Sequence, residues 1–326
     1  MNRLRLILLI CLISCSVKML SQKEDAKEIK GVLVFESEND ALAAWENLDR
    51  YYSYGIGISY TWKPRLFMGT QNWFKERTGY ALTVGIRSEG YTPTRDLLPQ
   101  SLEEIPEIEF DRPFAGLLYG TAEITYSFER SYLRTDLIVG VMGPSAFAGD
   151  IQNWIHDNVA IGGIINGWEF QLPDQLILNT SFRYAYDITQ DHPWFDLYSI
   201  ADARLGNLYV DARGTLGLRI GRFNSLINSV SERNDIFTTR RKGELFFRGS
   251  FSVTGVAFDG TAQGNMFKSR YVYALSSVPP VYLNATFGAY WSFKRWVLAF
   301  DHTIDWGKVI RKSRHSYARI ELQYRF

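Results

Sequence analysis

The chain has 326 residues, of which 15% are aromatic and 22% charged, and its formal net charge is +1. So even a balance excludes a nucleic-acid binder, which carries a basic excess, and after the N-terminus no apolar run reaches the roughly eighteen residues of a transmembrane helix. The aromatic content is the informative excess, because Trp and Tyr gather where a protein meets a membrane interface.

In chain order, Arg3 and Arg5 precede the apolar run Leu6 to Ile13, and small residues lead to Ser21 before Gln22. This is the pattern of an export signal, so residues 1–21 are read as a leader and 22–326 as one domain. Leu12 to Cys15 reads LISC, which resembles a lipoprotein cleavage box and offers a second start, lipid-anchored at Cys15. The two cysteines, Cys11 and Cys15, both lie in this segment. A cut near Ser21 therefore leaves a mature chain without disulfide or thiol chemistry.

Lys23 to Lys30 reads as a short solvated lead-in, after which hydrophobicity alternates with period two. Ala318, Ile320, Leu322, Tyr324 and Phe326 oppose Arg319, Glu321, Gln323 and Arg325. The same alternation marks Leu208 to Arg222 and Leu245 to Val253. A soluble sandwich alternates too. Here the strands are long, their charged residues sit mid-strand where a polar lumen would take them, and the terminal Phe326 resembles the sorting signal of bacterial outer-membrane barrels. With an export signal, these features predict an all-β fold: a single transmembrane antiparallel β-barrel of about twelve strands, with a short helix in an extracellular loop.

The predicted strands are Gly31 to Glu38, Ser53 to Lys63, Gly79 to Glu89, Pro113 to Ser127, Tyr132 to Gly143 and Asp174 to Ile188. They continue with Phe195 to Gly206, Leu208 to Arg222, Glu244 to Phe258, Tyr282 to Phe293, Trp296 to Ile304 and Ser316 to Phe326. With both ends in the periplasm, the outward connections are Asn39 to Tyr52, Gly90 to Arg112, Pro144 to Pro173, a tight turn at Asn207, Asp259 to Val281, and Asp305 to His315. The periplasmic turns at Glu129-Arg130 and Lys294-Arg295 are short, as such turns are. Pro64 to Thr78 and Phe223 to Gly243 are long for that side, which leaves plugging or partner contact as their roles.

Two outward loops carry candidate chemistry. In the first, Asn39 and Asp40 end one strand and Ser53 opens the next, so hairpin pairing gathers hard oxygen ligands of the kind calcium accepts. The same residues are ordinary in turns. In the third, Gly143 to Trp168, Ser145 can cap a helix and Gly162 and Gly163 can stop it. Ile151, Ile155 and Val159 fall on one face, with Gln152 and His156 on a neighbouring polar stripe. The chain has four histidines, and one alone is more often a surface or structural residue than a base, so this stretch leaves both roles open.

The ordered set Asn39-Asp40, Tyr52-Ser53-x-Gly55, Tyr91-Thr92-Pro93, DRPFAG at Asp111 to Gly116, Gly143-Pro144-Ser145, Gln152-x-x-x-His156 and Gly167-Trp168-x-x-Gln171-Leu172 resembles the outer-membrane lipid A 3′-O-deacylase family. The motifs are dense in the first half of the mature chain, and the second half carries the barrel pattern. The resemblance implies a monomeric, Ca2+-dependent esterase of the bacterial outer membrane that cuts the 3′-acyloxyacyl ester of lipid A in lipopolysaccharide, with a site between the barrel wall and a loop helix. It implies His156 as general base, Asn39 and Asp40 at the calcium and ester site, Ser53 where the family has Thr, and Gln152 as a site glutamine, with Asp40 and Ser53 on the metal. The family has a lysine in the second outward loop. Gly90 to Arg112 contains none, and Arg95 is the candidate cation for substrate there. The family also has a glutamate a few residues after the histidine, for which Asp157 and Glu169 are the local candidates. The alternatives are an inactive structural or binding barrel of the envelope, and a phospholipase using the same rim. A general porin fits least, since about twelve strands leave a narrow lumen whose charges can pair.

Overall fold

The computed structural model describes residues 28–40, 51–93, 111–158, 166–189, 192–238, 243–309 and 312–326, with the side chains of His156, Val309, Lys312 and Ser313 outside the description. The expected leader, with its two cysteines, and Arg95 lie outside the described residues. Twelve strands follow in chain order: β1 (Gly31–Asn39), β2 (Tyr54–Trp62), β3 (Gly79–Tyr91), β4 (Ala115–Ser127), β5 (Ser131–Met142), β6 (Gln175–Asp187), β7 (Phe195–Gly206), β8 (Tyr209–Arg222), β9 (Leu245–Asp259), β10 (Val281–Phe293), β11 (Trp296–Val309) and β12 (Lys312–Arg325). Each pairs antiparallel with its sequence neighbours, and β1 closes on β12 from Val32 opposite Arg325 to Asn39 opposite Ala318. Closure satisfies the backbone of both terminal strands, which an apolar solvent demands. Among the described residues two helices, α1 (Ala148–Asn158) and α2 (Gly260–Gln263), stand in connections at the extracellular rim.

Alternation sets the two faces. On β9, Phe247, Phe251 and Val253 are exposed towards lipid, while Arg248 points inward. Inward charges pair in ladders, and Arg213 bonds the Thr254 and Tyr282 hydroxyls. Arg87 bonds Glu36, Glu38 and Glu89 at 2.6, 2.7 and 2.6 Å, and Asp301 accepts from Arg248 at 2.9 Å and Arg319 at 2.5 Å. Arg219 pairs with Asp196, and Arg204 with Asp211. An unpaired ion in so narrow a lumen would carry a heavy desolvation penalty. Two polar cavities of about 390 and 200 Å³ remain between these ladders.

The expected outward loop Asp305 to His315 is mostly strand: Asp305 pairs with His315 and Trp306 with Arg314, and a register shift follows before Val309 meets Lys312. The segment reads as loop because its residues are polar and basic. That composition reflects a hairpin that outgrows the lipid layer, where pairing continues without an apolar face.

The two long periplasmic connections take different courses. Residues 223–238 enter the lumen, with three short 3-10 turns, and stop its periplasmic end. The Val230 carbonyl accepts from Gln323 at 3.2 Å, Glu232 accepts from the Tyr132 hydroxyl at 2.5 Å, and Arg134 donates to the Glu232 carbonyl at 2.7 Å. Arg233 joins Glu36 and Glu321, and Ile236 packs with Ile29, Val32, Val34 and Ala81. Plugging is therefore the role of this segment. Pro64 to Thr78 stays outside and folds back on the barrel wall, where the Tyr126 hydroxyl donates to the Thr70 carbonyl at 2.9 Å.

Candidate functional site

At the extracellular rim the ladder of β1 and β2 runs to Glu38 opposite Gly55. Continuing that register sets Asn39 across from Tyr54 and Asp40 across from Ser53. Asp40 and Ser53 are buried, and the Ser53 hydroxyl shares a hydrogen bond of 2.7 Å with Thr92. Backbone bonds from Tyr51 N to Thr92 O at 3.0 Å and from Ser53 N to Gly90 O at 2.9 Å fasten the first outward loop to the second. Tyr51 makes this turn with φ of +63°, a conformation that costs a bulky residue free energy. The surrounding contacts hold it there.

The DRPFAG segment supplies those contacts. Asp111 accepts from the Tyr51 hydroxyl at 2.8 Å. Arg112 lies 4.3 Å from the Tyr91 ring centroid and donates to the Tyr51 carbonyl at 3.2 Å and to the Thr261 hydroxyl of α2 at 2.8 Å. Phe114 packs against Trp168, their ring centroids 5.3 Å apart. Gly116 lets α1 approach the wall, since a Cβ there would meet Ala148 Cβ at 2.5 Å.

The approach to α1 is a chain reversal: Gly143 has φ of +111°, and a 3-10 turn runs from Pro144 to Ala146. Ser145 is not the cap of α1, contrary to the sequence reading. It belongs to this turn, its amide and hydroxyl both donating to Asp174 at 2.8 Å, because the chain must first be tied back to β6. Helix α1 then lies on the outer, lipid-facing side of β3 and β4. Its cluster contains Tyr54, Phe114, Ala148 and Trp168 with Ile56 and Ile151, and Ile56 shares the alternation of exposed Ile58 and Tyr60. The Tyr54 hydroxyl bonds Ser88 at 3.1 Å and the Ala148 carbonyl at 3.3 Å. By the same alternation Asn39 shares the outer face with Leu33 and Phe35.

Gln152, expected on a polar stripe beside the apolar face of the helix, does not face solvent. It is buried, at 2% exposure, because Trp168 folds over the helix and donates its indole N–H to Gln152 Oε1 at 2.9 Å. Gln152 Nε2 is a buried donor with no hydrogen-bond partner among the described residues. His156 lies four residues further along α1, its side chain outside the description, while Val159, Gly162 and Gly163 fall outside the described residues. Asp157 is an exposed residue of α1 itself, and Glu169 accepts from its own loop at Gly167 N, 3.1 Å away. The rim thus joins Asp40, Ser53 and Thr92 on one side of Tyr54 and Gln152 on the other. Thr92 and Trp168 are the partners that spacing does not reveal; both stand in the Tyr-Thr-Pro and Gly-Trp motifs.

The donor set bears on calcium. Among the described residues no group of three or more His, Cys, Asp or Glu side chains is placed to hold a metal ion, but Asp40 and the buried Ser53 and Thr92 hydroxyls are hard oxygens, which suits calcium better than a softer metal.

Comparison with known proteins agrees with this architecture. The structure of LpxR from Salmonella typhimurium superposes with a TM-score of 0.71 at 15% identity, covering 90% of this chain and 100% of that one. The translocator domain of the autotransporter NalP from Neisseria meningitidis matches with a TM-score of 0.41 at 10% identity, over 97% and 96% of the two chains. No curated protein matches. The family model described as outer membrane protein LpxR matches residues 6–326. A twelve-stranded closed barrel with a helix docked outside its rim, matched over nearly its whole length, belongs to the LpxR family of outer membrane proteins.

Proposed function

We propose that this barrel is a calcium-dependent esterase that hydrolyses the 3′-acyloxyacyl ester of lipid A. The observation that carries the reading is Gln152 Nε2, a buried N–H donor with no hydrogen-bond partner among the described residues, on the helix that packs against the lipid-facing wall. Leaving such a donor unmatched costs about 1–3 kcal/mol, so its position favours a bound acceptor. An ester carbonyl from a lipid of the outer leaflet is an acceptor that reaches this face without leaving the membrane. Membership of the LpxR family supports the substrate class.

In this reading His156 takes a proton from water as the water oxygen bonds the ester carbonyl carbon. Gln152 Nε2 donates to the carbonyl oxygen as negative charge grows on it. Collapse of the tetrahedral intermediate breaks the bond to the 3′ oxygen of the sugar, which receives the proton from His156, and the acyloxyacyl chain departs as a free acid. Calcium held by Asp40 and Ser53, with Asn39 beside them, would polarise the same carbonyl when bound. Arg95 would bind a lipid phosphate.

Mass spectrometry of lipid A tests this in cells making the wild-type protein, His156→Ala or neither. We expect a loss equal to the 3′-acyl unit with the wild type alone, abolished by chelating calcium. Unchanged lipid A over a folded wild-type barrel would overturn the esterase in favour of a binding role, and loss of phospholipid acyl chains instead would move the chemistry to phospholipids.

A further inference from the structure

The connection Pro64 to Thr78 is long for a periplasmic turn, and it does not enter the lumen. On β3 the lipid-facing positions are Tyr80, Leu82, Val84 and Ile86. Val84 and Ile86 are 46% and 53% exposed, as a wall bathed in lipid should be, yet Tyr80 and Leu82 are only 7% and 5% exposed. Tyr126 on β4, opposite Tyr80 in the ladder, is 1% exposed. The connection covers them from outside. The Thr70 hydroxyl bonds the Tyr80 hydroxyl at 2.7 Å, the Tyr126 hydroxyl donates to the Thr70 carbonyl, and Phe74 packs edge-on against Tyr126 at 4.8 Å.

The far side of this flap is apolar. Leu66, Met68 and Trp73 are 77%, 88% and 65% exposed, and Phe67 joins them. Exposed basic residues flank them at Arg65 and Lys75. Gly69, with φ of +77°, makes the turn that brings the two apolar arms together. This surface is continuous with the lipid-facing wall and lies at the periplasmic rim, where phospholipid phosphates are found beside acyl chains. A side chain such as Trp73, large and apolar with one N–H, suits that boundary, and cations beside it suit the phosphates.

We infer that Pro64 to Thr78 is an interfacial foot: it seats in the inner leaflet of the outer membrane, Leu66, Met68 and Trp73 below the phosphates and Arg65 and Lys75 at them. Its occupant is phospholipid. The inference is independent of any chemistry at the opposite rim.

The test uses the full barrel with Cys11 and Cys15 replaced by Ser, carrying a nitroxide at Met68→Cys or at the exposed Glu76→Cys. Each is reconstituted in vesicles of phosphatidylethanolamine and phosphatidylglycerol, with folding verified by heat-modifiable migration. Power saturation should show the label at position 68 relaxed more by dissolved oxygen than by a water-soluble nickel chelate, with the order reversed at position 76. Arg65→Gln with Lys75→Gln should raise chelate access at position 68 at least twofold in these vesicles. Equal chelate access at positions 68 and 76 in a folded barrel would overturn the inference, as it would if the foot faced water or awaited a protein. Depth unaffected by the double substitution would overturn the phosphate contact.

Discussion

Among the described residues the side-chain amide of Gln152 engages its Oε1 alone, through the Trp168 indole at 2.9 Å, and its Nε2 is left for something else. That single bond also fixes which end of the amide faces which way. Trp168→Phe keeps most of the packing against Phe114 but removes the donor, so the amide loses its orientation. Losing one hydrogen bond of about 1–1.5 kcal/mol corresponds to roughly a tenfold fall in turnover. We expect that fall in lipid A deacylation, with heat-modifiable migration unchanged; full turnover would mean that Gln152 needs no fixed orientation. The sequence carries part of this site. Gln152 and His156 are legible as a helical pair, and Asn39, Asp40 and Ser53 as neighbours across a hairpin, because both follow from local periodicity. Burial of Gln152 is not legible, since it depends on Trp168, sixteen residues away and brought back by a loop. Nor is the Ser53–Thr92 hydroxyl pair, which joins two different outward loops.

At the level of elements, α1 and the plug are both short segments whose position is decided by the wall they meet. Strands were legible because lipid and lumen impose alternation residue by residue; the last hairpin was not bounded correctly because that imposition ends above the lipid. The course of the connections was legible only as unusual length. For α1, close approach rests on Gly116, where a Cβ would meet Ala148 Cβ at 2.5 Å. Gly116→Val should push the helix off the wall, changing the emission of Trp168 and removing turnover while the barrel still assembles. Unaltered emission would show that the helix tolerates the displacement. For the plug, the lumen's own arginines are the anchors: Arg134 bonds both the Glu232 carbonyl and Asn234, at 2.7 and 3.0 Å. Replacing residues 226–237 by a Gly-Ser linker removes these contacts and opens the periplasmic end. Planar-bilayer recordings should then show stepwise ion conductance absent from the wild type, and silence in both would place the barrier in the charged ladders above.

Across the whole molecule, α1 and the foot rest on the same two strands. The helix covers Ser88 and Gly116 at the extracellular end of β3 and β4, and the foot covers Tyr80 and Tyr126 at the periplasmic end. Between them the exposed β3 wall is reduced to Val84 and Ile86, whereas β9, six strands away around the closed barrel, exposes Leu245, Phe247, Phe251 and Val253. A barrel clamped on one side at both leaflets has its depth and tilt fixed there, because displacing the foot would take apolar side chains out of the acyl boundary at about 25 cal/mol per Å² of apolar surface. The site at α1 then meets the outer leaflet at a set height. Replacing Leu66, Met68 and Trp73 together by Ser touches no residue near α1. It should therefore leave hydrolysis of lipid A in detergent micelles unchanged, where height has no meaning, and lower hydrolysis of lipid A embedded in vesicles several-fold. An equal fall in both would mean that the foot supports the fold, and no fall in either would mean that the barrel's height is fixed by the rest of its belt.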